Sequence, residues 1–187
     1  AMERLAELPL AAGEAITPLG DLARSEETSR EMGQAMLIAL ALIFCILVVQ
    51  FRSFLQPLII LAALPLAMTG VFFGFLLQGI PISFPAMIGM VALAGIVVND
   101  SIVLVDTMNR NVAGGLAPVE AVREATNERL RPILVTTITT VIGLLPLAMT
   151  DAVWEGLCMA VVYGISLATL LTLVVIPAMY LTLKRAP

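Results

Sequence analysis

The chain has 187 residues and a formal charge of −4, with 60% hydrophobic and 13% charged residues. Soluble domains contain about 45–50% apolar and about 25% charged residues, so this composition indicates an integral membrane protein. The absence of histidine excludes a Ser-His-Asp triad, an HExxH zinc site and the usual haem ligands. The low pI and the ten basic residues argue against a nucleic-acid partner. We therefore expect no enzyme activity, no metal site and no cofactor.

The first 30 residues differ from the rest of the chain. They contain nine charged residues together with Pro9, Gly13, Pro18 and Gly20. This stretch is too short to bury a core of its own. We predict that residues 1–30 lie outside the membrane, as the remnant of a larger extramembrane portion, and that residues 31–187 form the membrane domain.

Five apolar runs follow, and residues 53–99 contain no charged side chain at all. About 20 residues cross a hydrocarbon core about 30 Å thick. The predicted spans are about 33–51, 58–77 (with a kink at Pro65), 84–106, 133–150 and 156–183. Residues 118–130 are predicted to form a short amphipathic helix at the membrane interface, beginning at Pro118. The predicted fold class is an all-α membrane protein, a bundle of about five transmembrane helices plus this short cytoplasmic helix.

Charge placement predicts the orientation of these spans. The connections after spans one, three and five hold Arg52, Arg110, Arg123, Arg129, Arg131, Lys184 and Arg185, whereas residues 78–83 and 150–155 hold no Lys or Arg. The positive-inside rule places the first set in the cytoplasm, with the N-terminus outside and the C-terminus inside. An exported N-terminus without a signal sequence favours a piece of a longer protein.

Asp100 lies within the third span, where an ionised carboxyl costs at least about 2.5–3.5 kcal/mol. Its face of the predicted helix is otherwise apolar, with Leu93, Ile96, Val97, Val103 and Leu104. Such neighbours favour the neutral form, so Asp100 is predicted to carry a proton. Asn99 and Asp106 share a neighbouring stripe, Ser101 follows Asp100, and Asp106 is close enough to Arg110 to be a boundary residue.

The fourth and fifth spans carry two further patterns. Arg129, Thr136 and Thr140 recur at helical spacing and place one guanidinium and two hydroxyls on one side of the fourth span. Threonines also commonly pack membrane helices together. The fifth span has small residues at every fourth position, namely Gly156, Ala160, Gly164, Ala168 and Thr172. This spacing predicts close helix packing, and Gly70 and Gly74 extend the prediction to the second span.

Four sequence motifs in register resemble one transporter family. They are residues 51–57 (FRSFLQP), 95–106 (GIVVNDSIVLVD), 129–136 (RLRPILVT) and 143–148 (GLLPLA). Their order and spacing are similar to those of the resistance-nodulation-division (RND) efflux transporters, in particular the hydrophobe/amphiphile exporters of Gram-negative bacteria. The resemblance covers nearly the whole chain from Gly13 onward.

The resemblance implies a set of proton-relay residues. In that family, protons pass by two aspartates in the fourth span of the complete transporter, a lysine in the tenth, and an arginine and a threonine at the eleventh. By motif, the last three positions are Asn99, Arg129 and Thr136 here. Asn99 departs from the family pattern, because asparagine cannot supply the cation that pairs with the aspartates, and the following residue, usually asparagine, is Asp100. Asp100 either carries the proton itself or pairs with a basic group from the other half; Asp106, Ser101 and Thr140 are secondary candidates.

The resemblance also implies partners and a location. This chain is similar to the last five of twelve spans, and residues 1–30 resemble the tail of the second periplasmic portion. Family members are trimers of the bacterial inner membrane that exchange protons for exported drugs, detergents or lipids. The implied partners are the N-terminal half of the same transporter, a periplasmic adaptor, an outer-membrane channel and the lipid bilayer.

Two other functional classes compete with proton-driven export. The loss of the family lysine at Asn99 leaves open a non-transporting membrane module that assists assembly or export. An intramembrane aspartyl protease needs two facing aspartates in distinct sequence settings, whereas Asp100 and Asp106 lie on one predicted helix. The sequence therefore favours the membrane half of a proton-driven multidrug or amphiphile exporter.

Overall fold

The computed structural model describes residues 19–185, with side-chain placement described for 27–151 and 153–183. Residues 1–18 of the predicted extramembrane segment lie outside this range. The described chain forms six helices: α1 Leu19–Phe51, α2 Leu55–Leu61, α3 Ala63–Gln78, α4 Phe84–Ala113, α5 Pro118–Ala148 and α6 Ala152–Arg185. Five helical stretches are long and apolar enough to cross a membrane: Glu27–Phe51, Leu55–Gln78, Phe84–Ala113, Pro118–Ala148 and Val153–Leu183. The predicted bundle of about five helices is confirmed.

The first helix is longer than its predicted span and is the most loosely packed. It begins at Leu19, so the helix runs without a break from residues 19–30, which are predicted to lie outside the membrane, into the first span. Among its side chains from residue 27 onward, only Leu47 is buried. Large apolar residues such as Leu37 and Val49 are exposed, which leaves most of this helix facing outward from the described bundle.

The second span is interrupted, as its proline predicts. Helices α2 and α3 meet at Ala62, three residues before Pro65. Proline has no N–H and its ring clashes with the carbonyl four residues earlier, so the helical hydrogen bonding fails on the N-terminal side of the proline. Helix α3 ends at Gln78 and is capped by Gly79, whose φ of 68° is a left-handed conformation that glycine adopts without a Cβ penalty.

Helix α4 begins with a side-chain cap and ends near the start of α5. The hydroxyl of Ser83 accepts a hydrogen bond of 3.4 Å from the backbone N–H of Ala86, which caps the first turn.

Helix α5 begins at Pro118, as predicted, but the interfacial helix expected over 118–130 is continuous with the fourth span. The 31 residues of α5 rise about 46 Å, more than the thickness of the hydrocarbon core, so the helix extends beyond one face of the membrane.

The core of the bundle is built around α6, which packs against α3, α4 and α5. All five small residues of the predicted stripe, from Gly156 to Thr172, are buried. A β-carbon placed on Gly70 would lie 2.8 Å from the carbonyl oxygen of Tyr163 and 2.9 Å from Cβ of Leu167. The prediction that small residues allow close packing of the second and fifth spans is confirmed.

Candidate functional site

Asp100 is half-buried at the edge of the interface between α4 and α5. Leu93, Val97 and Leu104 on the adjoining side of α4 are buried in the core. A small cavity of about 70 Å³ opens beside the carboxyl group and is lined by Asp100, Val103, Arg129, Pro132, Ile133 and Thr136. Three of the residues predicted from sequence therefore line one cavity, although they lie on two helices.

Pro132 and Thr136 form the α5 side of this cavity. Pro132 sits inside the helix without breaking it, and its ring cannot donate a hydrogen bond to the preceding turn. The hydroxyl of Thr136 donates to the carbonyl oxygen of Ile133 over 2.9 Å, which satisfies its donor and leaves its oxygen able to accept. The cavity thus combines one carboxyl, one guanidinium and one hydroxyl oxygen on an otherwise apolar wall.

Arg129 is connected to α4 through a residue that the sequence reasoning missed. Its Nε donates a hydrogen bond of 3.0 Å to Oγ1 of Thr107, which is only 3% exposed. Within the described part of the chain, no ion pair within 4.0 Å joins Arg129 to Asp100. Arg110 pairs instead with Asp106 on the same helix, at 3.2 Å between Nε and Oδ2.

The other predicted site residues lie outside the cavity. Asn99 is exposed on the outer face of α4, beside the small residues Ala92 and Gly95. Ser101 points the opposite way: it is 2% exposed and donates to the carbonyl oxygen of Val97 over 2.7 Å. Thr140 is half-buried one turn beyond Thr136 and does not line the cavity.

A second polar cluster, also missed, joins three helices at one end of the bundle. We call this end, where Arg52 and Arg110 lie, the basic end. Asn109 on α4 exchanges two hydrogen bonds with Gln56 on α2, of 2.9 and 3.2 Å, and accepts a third of 2.7 Å from the hydroxyl of Tyr180 on α6. A tyrosine in an apolar run could have indicated such a partner, because a buried phenol hydroxyl needs a hydrogen bond.

The outer faces of α4 and α5 carry the cavity and are uncovered in the described chain. Asn99 and Gly95 on α4 are exposed, as are Thr136 and Gly143 on α5. No other described helix covers these positions, whereas the opposite faces of both helices pack on α6. The carboxyl group of Asp100 therefore lies where a further membrane element could reach it.

The sequence of this chain is similar to those of known proteins. A family model described as the AcrB/AcrD/AcrF family matches residues 1–184. The swarming motility protein SwrC of Bacillus subtilis (strain 168) is 41% identical over 160 residues, 83% of this chain. The multidrug resistance protein MdtC of Salmonella paratyphi B is 35% identical over 152 residues, 79% of this chain.

The fold is similar to that of a solved transporter. The crystal structure of a heavy metal efflux pump superimposes with a TM-score of 0.79 and 30% identity over 98% of this chain. This chain covers 19% of that pump, and 15% of SwrC and of MdtC. The chain therefore corresponds to a small part of each of these proteins.

Proposed function

The chain belongs to the AcrB/AcrD/AcrF family of RND efflux transporters, and we propose that it forms the C-terminal membrane half of a proton-driven pump for amphiphilic and multidrug substrates. Members of this family are in general transporters rather than enzymes. The observation that carries the proposal is the half-buried carboxyl of Asp100, which shares a cavity with Arg129 and Thr136 on the uncovered side of α4 and α5. In the proposal Asp100 binds and releases the transported proton.

The energy available from one proton is sufficient for such a role. A proton that crosses a potential of 100 mV releases about 2.3 kcal/mol, and each unit of pH gradient adds about 1.4 kcal/mol. These amounts shift a conformational equilibrium by about one to three powers of ten. Neutralising a carboxyl group inside the membrane also removes the cost of burying its charge, so the two protonation states favour different surroundings.

The proposed transporter has a defined topology and includes parts that lie outside this chain. Residues 1–30 are the end of the second periplasmic portion, residues 31–187 are the C-terminal membrane domain of a bacterial inner-membrane protein, and the basic end faces the cytoplasm. The N-terminal half covers the outer faces of α4 and α5 and brings further charged groups to Asp100. The complete transporter is a trimer that works with a periplasmic adaptor and an outer-membrane channel.

Amphiphilic compounds are the proposed substrate class. The motifs at 95–106 and 129–136 resemble those of the hydrophobe/amphiphile exporters, and MdtC is named for multidrug resistance. The full-length transporter, expressed in bacteria that lack their own pumps, should raise the inhibitory concentrations of bile salts and cationic dyes. If the transporter confers no such resistance, this substrate class is wrong. If it exports none of the tested compounds, the alternative of a non-transporting membrane module replaces the proposed pump.

Asp100→Asn tests the role of the carboxyl in the same cells. We expect this variant to lose most or all of the resistance at unchanged protein level, because asparagine keeps the shape and some hydrogen bonding but cannot exchange a proton. Asp151→Asn is the matched control, since Asp151 is exposed in a connection and its carboxyl group accepts a hydrogen bond only from the N–H of Val153. Full resistance with Asp100→Asn would show that Asp100 is a packing residue.

A further inference from the structure

Thr107 accepts hydrogen bonds from two arginines, one of which, Arg129, lines the cavity. It lies seven residues after Asp100, two helical turns along nearly the same face of α4. It is 3% exposed, and its hydroxyl contacts α5 through Arg129. Neither the composition nor the motifs of the sequence distinguish this threonine from the others in the chain.

Three hydrogen bonds occupy every donor and acceptor position of the Thr107 hydroxyl group. The hydroxyl proton is donated to the carbonyl oxygen of Val103 over 2.8 Å. The oxygen then accepts from Nε of Arg129 at 3.0 Å and from Nη2 of Arg110 at 3.4 Å. A hydroxyl has one donor and two acceptor positions, so all three are used.

The two arginines at this hydroxyl are not equivalent. Arg110 already forms an ion pair with Asp106. Arg129 is held through Nε alone, and its terminal nitrogens make no hydrogen bond or ion pair with any described residue. Because the guanidinium is planar and its donors are fixed in a fork, holding Nε restricts where the terminal nitrogens can point. Arg129 also lines the cavity beside Asp100, and among the described residues it is the cation that shares this cavity with the carboxyl group.

We propose that Thr107 is a positioning residue, which holds the guanidinium of Arg129 at the cavity so that its terminal nitrogens can bind the carboxylate of Asp100 when the proton leaves. This inference rests on the proposed proton-driven function and adds a residue to it. Thr107 itself touches neither the proton nor Asp100; it acts through Arg129. A hydrogen bond to a charged group is among the stronger single contacts in a protein, which makes its loss measurable.

Few charged side chains of the described chain lie on the helices that pack around Arg129 and Asp100. Asp100, Asp106 and Arg110 come from α4, and Arg129 comes from α5. The other charged residues of α5, Glu120, Arg123, Glu124, Glu128 and Arg131, are all exposed. Helices α2 and α3 contain no charged residue. The only charged side chain of α6 between residues 153 and 183 is Glu155, at the end opposite to the basic end. A shift in the pH dependence of export on changing Thr107 would therefore report on Arg129 with Asp100 or on Arg110 with Asp106, and the combination with Arg129→Ala distinguishes the two pairs.

The test uses the full-length transporter in proteoliposomes, with proton-coupled export measured from pH 5 to pH 9. Thr107→Val keeps the shape of the side chain but removes the acceptor for Arg129 and for Arg110. We expect the initial rate to fall about tenfold, the loss typical of one hydrogen bond to a charged group. We also expect the midpoint of the pH profile to move upward, because the carboxylate loses its nearby cation. Thr107→Ser should restore both values to within about twofold of the wild type.

A double-mutant comparison separates positioning from packing. If Thr107 acts through Arg129, the variant with both Thr107→Val and Arg129→Ala exports no more slowly than Arg129→Ala alone. Thr172→Val is the control, because Thr172 is buried on α6 and bonds only to carbonyl oxygens of its own helix, those of Ala168 and Thr169. We expect that variant to keep the wild-type pH profile.

The outcomes distinguish this inference from the proposed function. Independent, multiplying effects of Thr107→Val and Arg129→Ala, no rescue by Thr107→Ser, or wild-type export by a folded Thr107→Val protein would each overturn the positioning role while the role of Asp100 stands. If Thr107→Val fails to fold, as judged by its melting temperature, Thr107→Ser and Thr107→Ala test the positioning role in its place. We then expect the rate of export to fall only in Thr107→Ala. A wild-type transporter that moves no protons would overturn both.

Discussion

The hydroxyl of Tyr180 donates a hydrogen bond of 2.7 Å to Oδ1 of Asn109, and Tyr180 has no exposed surface. Asn109 also exchanges two hydrogen bonds with Gln56, so one asparagine joins α2, α4 and α6 at the basic end. The same end of α4 carries Thr107, two residues away, on the side that faces α5. The cluster therefore anchors the end of α4 that carries Thr107, the residue to which Arg129 is hydrogen-bonded.

We predict that removing these hydrogen bonds destabilises the bundle. Tyr180→Phe should lower the free energy of unfolding by about 0.6–1.5 kcal/mol. Asn109→Leu should lower it by more, because it leaves both the buried hydroxyl of Tyr180 and the half-buried amide of Gln56 unpaired. The measurement is unfolding of the full-length protein in mixed micelles by increasing fractions of denaturing detergent.

Tyr163→Phe is the matched control for Tyr180→Phe. Tyr163 also lies on α6, but its hydroxyl makes no hydrogen bond with the described residues. Equal stability losses for the two tyrosine variants would contradict a specific role for the cluster, since both changes remove only one hydroxyl group.

A second prediction concerns the close approach of α3 and α6. Gly70→Ala should destabilise the protein by about 1–3 kcal/mol, because the added methyl would meet the backbone oxygen of Tyr163 at 2.8 Å and force the helices apart. Gly33→Ala on α1 is the control, since nothing lies within 4 Å of its position. Detergent-induced unfolding of both variants checks the prediction, which a Gly70→Ala protein as stable as the wild type would refute.

The proposed orientation can be tested by thiol labelling of whole cells. In a cysteine-free background, Thr150→Cys should react with a membrane-impermeant maleimide added outside, whereas Gly114→Cys should react only after the inner membrane is opened. Both positions are exposed in the structure, so burial does not limit the reaction. The reverse pattern would mean that the arginine-rich connections face the periplasm and that the orientation is wrong.

Much of the fold was predictable because membrane helices are dictated by length and hydrophobicity. The five spans, the interruption near Pro65 and the buried stripe of small residues on α6 all followed from local patterns. The boundaries were less predictable. Charged residues over 118–130 indicated a separate helix, but no glycine or effective break lies between them and the fourth span, and Pro132 is accommodated within α5.

The sequence predicted the residues of the candidate site that a single helix or a family motif identifies. The cost of a buried carboxyl singled out Asp100, and the family motif added Arg129 and Thr136, which line the same cavity. Helical spacing alone could not place Ser101 in the core or pair Thr107 with a residue 22 positions later, because such contacts depend on how α4 and α5 are rotated against each other. Those rotations are set by packing on α6, which the sequence pattern does not specify.

The most direct measurement of the central claim is substrate-dependent proton flux through the full-length transporter, purified and reconstituted in liposomes that contain a pH-sensitive dye. With an imposed pH gradient, we predict that adding an amphiphilic substrate accelerates proton movement by the wild type and by Asp151→Asn, but not by Asp100→Asn. Asp100→Glu should keep part of the flux, because it retains an ionisable carboxyl in the same cavity. Equal substrate-dependent flux with Asp100→Asn and with the wild type would contradict the role of Asp100 as the proton-carrying group.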